Sequence, residues 1–314
     1  MSPIAAPSPA GPDASQFDTV AARKQWRVVL RRFLRHRLAV GGLALFVLLL
    51  LFAFVGDKLW KYSYLDLNLG RYEPPNAEHP FGTGHLGEDM LAQIIRGTQF
   101  SLRIAMVVAL FATLIGVVLG ALAGYLGGWV DSVVSRVIDL ILIFPAIAIV
   151  AVLARQSFVA EATKAGNGAG NWLLVSLVLV IVRWLRIGRV VRGVVLSLRE
   201  KEFVEAARAL GGSTWRIVFR HILPNTVDVI IVNATIVIAE AVLIEAALSY
   251  VGLGVQSPDT SLGLLIAYNK NELSVHPWLF WLPFLFIVMI SLSVNFIGDG
   301  LRDAFDPRQR RVRA

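Results

Sequence analysis

Six stretches of this chain, at about 38–56, 101–124, 130–153, 172–188, 226–251 and 278–297, are apolar over nearly the ~20 residues that a helix needs to cross a bilayer. Hydrocarbon offers backbone N–H and C=O groups no water, so each crossing has to satisfy its own hydrogen bonds as a helix. With 56% hydrophobic residues and a mean hydropathy of +0.66 over 314 residues, the chain carries more apolar surface than a soluble globular protein. The fold class read from these stretches is all-α and integral to a membrane.

The flanks add an orientation. Residues 1–22 are rich in Ala, Pro and Ser without apolar periodicity and read as a disordered tail. Residues 23–37 place Trp26, Leu30, Phe33 and Leu34 on one helical face with Arg between them, which predicts an amphipathic helix lying in the membrane surface. A cleaved signal peptide is disfavoured, because the basic region is too long and no small-residue site follows the first apolar stretch. If the N-terminus is cytoplasmic, that side holds 22 of the 30 Lys and Arg and the other side 8. The bias places both termini, and the polar interval before the fifth span, in the cytoplasm. The long segment 57–100 then lies outside, and 298–314 forms a cytoplasmic tail.

That interval, within a cytoplasmic loop at 189–225, contains REKEFVEAARALGGSTWRIVFRHILPN at 199–225. Arg199 to Leu210 reads as a helix whose small apolar face is Phe203, Ala206, Ala207 and Leu210, with Glu205 spaced to pair with Lys201 and Arg208. Gly211 and Gly212 end it, because a left-handed cap position tolerates glycine best. Ser213 is placed to cap a second helix bearing Trp215, Val218, Phe219 and Ile222 on one side, and Pro224 forces a bend. The result is a helix-turn-helix with an exposed apolar face and a basic rim, which is a docking surface.

Glu205, Ala206 and Ala207, then Gly211, then Leu223 and Pro224 resemble the EAA motif of the membrane subunits of ABC importers. Two further segments resemble the oligopeptide and dipeptide branch of that family: LIEAALSYVGLGVQSPDTSLG at 243–263 and NFIGDGLRDAFDPR at 295–308. A third, HPFGTGHLGEDMLAQIIRGTQFSL at 79–102, is similar except that Gly84 stands where Asp is common and Glu88 where a basic residue is common. The resemblance implies a type I ABC importer permease with an ABC transmembrane core at 101–297. It implies a coupling role for Glu205, Ala206, Ala207, Leu210, Gly211, Gly212, Trp215, Phe219, His221, Leu223 and Pro224. It also implies partners: a second related permease, two ATPase domains that bind ATP and Mg, and an extracytoplasmic binding protein that delivers peptide. Related branches carry nickel chelates, glutathione or haem, so the cargo class stays open at this point.

Polar residues inside the spans are few. Gly116, Gly120 and Gly124 leave one face of the second span bare for a neighbouring backbone. In the third span Asp131, Ser135 and Asp139 share a face, Arg136 is spaced to pair with Asp139, and Pro145 predicts a kink. In the fifth, Thr226, Asn233, Glu240 and Ala247 form a stripe, and a carboxylate there has to face protein or a wet cavity. Glu240 is thus either buried against a partner permease or, with Asn233, lining the translocation path; Glu245 reads as structural, bonded to a neighbouring helix. No phosphate-cradling G-x-x-x-x-G-K-[ST] occurs, so ATP hydrolysis belongs to partners, and no zinc or serine-hydrolase motif is present. His79 and His85 without a third ligand read as surface polar residues, not a metal site. The basic clusters sit at membrane ends, which leaves no place for nucleic acid. An ion-driven secondary transporter would show an inverted repeat and several intramembrane charges, and no convincing repeat is found.

Overall fold

The computed structural model describes residues 27–67, 69–145, 148–149, 152–153, 170–257 and 259–305. Trp26, the tail at 1–22 and residues 146, 147, 150 and 151 of the span expected at 130–153 lie outside these residues. The described chain is helical, with one isolated bridge between Thr83 and Asp89. Its helices are α1 (Arg37–Leu59), α2 (Met90–Leu126), α3 (Gly128–Ile143), α4 (Gly170–Arg199), α5 (Glu202–Ala209), α6 (Thr214–Ile217), α7 (Val227–Tyr250), α8 (Leu262–Asn269) and α9 (Trp278–Phe305). Four of them, α1, α2, α7 and α9, have the length and apolarity to cross a membrane.

Helix α2 is the centre of the bundle. Its glycines face α4: a Cβ on Gly116 would lie 2.8 Å from Ile187 Cβ, one on Gly120 2.5 Å from Gly188 O, and one on Gly124 2.8 Å from Arg192 O. Residue numbers rise together on both sides of this seam, so α2 and α4 run parallel, with α3 returning between them in sequence. Antiparallel to α2, α7 contributes Glu245, buried against Ser101. Between α7 and α2 the short helix α8 is wedged so closely that a Cβ on Gly263 would meet Ala246 Cα at 2.4 Å. The pair α1 and α9 closes one side, with Gly42 against Phe296 and Ser293 and Gly300 against Ala39.

Where bounds differ from the sequence reading, a cap or a proline explains the difference. Asp89 accepts from Ala92 N at 2.8 Å, so α2 starts at Met90 rather than near 101. Pro145 does not kink α3; Phe144 before it is extended, as the residue preceding a proline prefers, and the helix ends at Ile143. At the N-terminus, residues 27–33 are helical, but the expected single apolar face is split. Val29 and Phe33 pack on Ala39 and Ala304, while Leu30 and Leu34 are exposed. This stretch therefore docks on the end of α9, with Arg32 donating to Ala304 O.

Loop 60–89 is folded tightly on the other end of the bundle. His79 is buried, not a surface residue, stacked on Tyr62 and bonded through Nδ1 to Asp89 at 2.8 Å; Trp60 Nε1 donates to the same carboxylate at 2.9 Å. Glu88 folds back to accept from Leu86 N, and a Cβ at Gly84 would lie 2.5 Å from its carboxylate, so the Glu88 side chain would have to shift. The two departures from the family pattern are thus one compact turn. Tyr72 stacks on His276 at 4.3 Å, and burial, with Glu272 beside it, pushes its phenol above the usual range. Asp89→Ala removes a helix cap and leaves Trp60 Nε1 and His79 Nδ1 without their carboxylate partner, so it should destabilise the chain by about 2–4 kcal/mol. A thermal melt in detergent reads this, and an unchanged midpoint would show the cap to be dispensable.

Candidate functional site

The polar interval forms one cassette. Helix α5 is anchored by Val204, which is fully buried, and α6 by Ile217; Val218 and Ile222 follow in a π turn at 218–222. Gly211 has φ +75°, and Gly212 N donates to Ala207 O at 2.9 Å, which turns the chain back. Ser213 Oγ caps α6 by accepting from Arg216 N, and Pro224 opens a 3-10 turn at Leu223–Asn225. The outer face carries Phe203, Leu210, Trp215 and Phe219, with the last two rings stacked at 5.2 Å. Leu210 is 88% exposed, so this face is apolar and open to its surroundings.

Two sequence expectations are corrected here. Trp215 and Phe219 share a face, but Val218 and Ile222 point inward, because the π turn rotates the backbone off the ideal helical register. Arg208 does not pair with Glu205: its Nε donates to Tyr125 Oη at 3.3 Å and its guanidinium lies over the Tyr125 ring, so α5 is tied to the end of α2. Val204 and Tyr125 are the residues the sequence reading missed; an apolar residue opposite the expected docking face was the available signal for Val204. Glu205 and Ala206 are exposed, Ala207, Gly212, His221 and Leu223 half-buried, and Pro224 exposed.

Above the cassette, α4 carries Arg183, Arg186, Arg189 and Arg192. A three-residue step turns a helix by 300°, so each arginine lies 60° behind the last, and four of them sweep half a circle. Arg192 makes a two-pronged bond to Asp131 of α3, Nη2 to Oδ2 at 2.7 Å, and Arg189 reaches Asp139 at 2.6 Å. On the other flank Glu240 of α7 meets Arg186 at 2.5 Å and Arg183 at 3.0 Å. The expected pair Arg136 with Asp139 is therefore not formed. Cross-helix pairing offsets charge on α4 as well as on α3, whereas an in-helix pair would leave the α4 arginines bare. Asn233 lies below Glu240, in a cleft of about 450 Å³ with Val190, Val229 and Ile236.

Glu245 is fully enclosed and accepts from Ser101 at 3.0 Å and Ser249 at 2.7 Å, with Ser261 beside them. Replacing Glu245 by Ala leaves these hydroxyls without an acceptor, at a cost of about 1–3 kcal/mol, and Gln should recover part of it. Equal melting temperatures for the two variants and the parent would contradict this. Among the described residues no group of three His, Cys, Asp or Glu is placed to hold a metal ion.

Residues 116–311 match the family described as the binding-protein-dependent transport system inner membrane component. The chain belongs to this family. Residues 24–75 match the N-terminal membrane domain of oligopeptide transport permease C. Among curated members of the family, the oligopeptide transport system permease protein OppC of Salmonella typhimurium is 41% identical over 93% of this chain and 94% of its own length. The Mycobacterium tuberculosis protein of that name is 40% identical over 91% and 96%. The dipeptide transport system permease protein DppC of Alkalihalophilus pseudofirmus is 37% identical over 98% and 97%. A chain of the MetNI methionine ABC transporter, solved in inward-facing conformations, matches with a TM-score of 0.54 and 21% identity over 69% of this chain and 98% of its own. That neighbour shows the family fold.

Proposed function

We propose that this chain is the permease subunit of an ATP-driven importer of oligopeptides or dipeptides, forming half of the path and seating its α5–α6 cassette on a cytoplasmic ATPase. The observation that carries this is the cassette: a rigid, internally anchored turn whose Leu210, Trp215 and Phe219 face outward in a family member without a phosphate-binding loop. One chain offers one such surface, and an ATP sandwich between two ATPase domains needs two, so a second permease completes the membrane part. ATP and Mg bind on the ATPase partners, and an extracytoplasmic binding protein delivers the cargo. The charge bias supports a bacterial plasma-membrane location with both ends and the cassette cytoplasmic. The docking of residues 27–33 on the end of α9 supports placing both ends on one side. The names of the relatives favour peptide over nickel chelate, glutathione or haem.

The test is uptake of a labelled peptide into cells lacking other peptide importers, supplied with this chain, its neighbouring permease, ATPases and binding protein. Uptake should vanish when the phosphate-binding Lys of the ATPases is replaced and persist when the ion gradient is collapsed at constant ATP. The reverse pattern would make the protein a gradient-driven carrier, and competition by a metal chelate but not by peptide would change the cargo.

A further inference from the structure

Within that reading, the structure reverses the sign of the charge in the path. On sequence, Glu240 placed a carboxylate beside the translocation path. In the folded chain Glu240 is outnumbered: four α4 arginines face three carboxylates, Asp131 and Asp139 are taken by Arg192 and Arg189, and the surplus positive charge rests on Arg183 and Arg186. Arg183 is largely buried and its Nε has no hydrogen-bond partner, while the side chain of Arg186 is 60% exposed. A guanidinium has five donors, and one carboxylate shared between two arginines leaves several unused.

These groups lie at the head of a groove. On α4, Arg183, Arg186 and Val190 fall within a 60° sector, and on α7 so do Val229, Asn233, Ile236 and Glu240. Val190, Val229, Asn233 and Ile236 line one cleft, and Glu240 stands one turn beyond Ile236. From Val229 to Glu240 the rise is about 16 Å, the length of four or five extended residues. The walls are apolar, Phe305 among them, apart from Asn233 and the oppositely charged Asp228 and Arg302.

We propose that the α4–α7 groove holds an extended peptide whose terminal carboxylate is met by Arg186, with Arg183 and Glu240 orienting its guanidinium. The planar fork matches a carboxylate with two parallel bonds, and Glu240 offsets part of the positive charge that attracts it. The contact would select for a free C-terminus and leave side chains unread.

The experiment compares a tetrapeptide as free acid and as C-terminal amide. Both see the same binding protein in every strain, so a change in the acid-to-amide uptake ratio between permease variants reports on the permease. Arg186→Gln should lower that ratio about tenfold, the loss of one charge-assisted bond. Arg186→Lys should recover part of it, and Glu240→Gln, which adds to the surplus charge, should raise it. Benzoylphenylalanine placed at Ile236 of the purified complex, with the binding protein omitted, should cross-link the acid more than the amide. A ratio that none of the variants moves, or cross-linking indifferent to amidation, would overturn the proposal. Wild-type uptake of neither peptide would instead overturn the cargo assignment on which it rests.

Discussion

Gly120→Val is expected to remove the folded chain from the membrane. A Cβ at position 120 would lie 2.5 Å from Gly188 O and 3.1 Å from Gly188 Cα, so the obstacle is backbone and not a side chain that could swing aside. The two helices have to separate, and the loss spreads along Gly116 against Ile187 and Gly124 against Val195. Inside a bilayer the hydrophobic effect does not drive helices together, so close packing carries most of the association. Overpacking alone costs about 1–3 kcal/mol, and the opened seam adds to it, against a total stability of about 5–15 kcal/mol. Gly41→Ala is the control, because a Cβ there meets nothing within 4 Å. Abundance in the membrane fraction and the melting temperature should fall for Gly120→Val and stay at the parent value for Gly41→Ala. Parental abundance and melting of Gly120→Val would show that α2 and α4 do not meet as described.

Leu210→Asp and Trp215→Ala should have the second largest effect, on transport and not on folding. Both side chains are exposed, and their removal leaves Val204 and Ile217 in place as the inner anchors. Central aromatic and aliphatic contacts of an interface cost about 2 kcal/mol or more when truncated, which is roughly thirtyfold in the occupancy of the docked state. Uptake and the stimulation of ATP hydrolysis by the binding protein should drop together, with membrane abundance unchanged. Val204→Asp should do the opposite and lower abundance, since it buries a charge under α5. A Leu210→Asp chain that transports at the parental rate would remove the cassette from the coupling path.

Much of this was legible because it depends on local chemistry. Apolar length gives the four spans α1, α2, α7 and α9, Gly211 and Ser213 give the turn between α5 and α6, and glycine at every fourth position gives a close seam. What the sequence could not give was partner choice across the bundle. Arg136 and Asp139 satisfy an in-helix spacing rule, yet Asp139 turns to Arg189, fifty residues away. The span expected to end at 188 continues as α4 to Arg199, with Arg186, Arg189 and Arg192 meeting carboxylates on both flanks. His79 is another case, since its burial depends on Asp89 and Tyr62 arriving from opposite directions. Periodicity reports which face is apolar, and it is silent about which neighbour that face will meet.

The parallel run of α2 beside α4 sets a schedule for the chain as it is made. Gly124 leaves the ribosome about seventy residues ahead of Val195, its partner across the seam. At about 5–20 residues per second, α2 waits roughly 4–14 seconds with its bare glycine face uncovered. During that interval any small-faced helix of another nascent permease can take the place of α4, so slow translation of 125–195 should favour mispaired bundles.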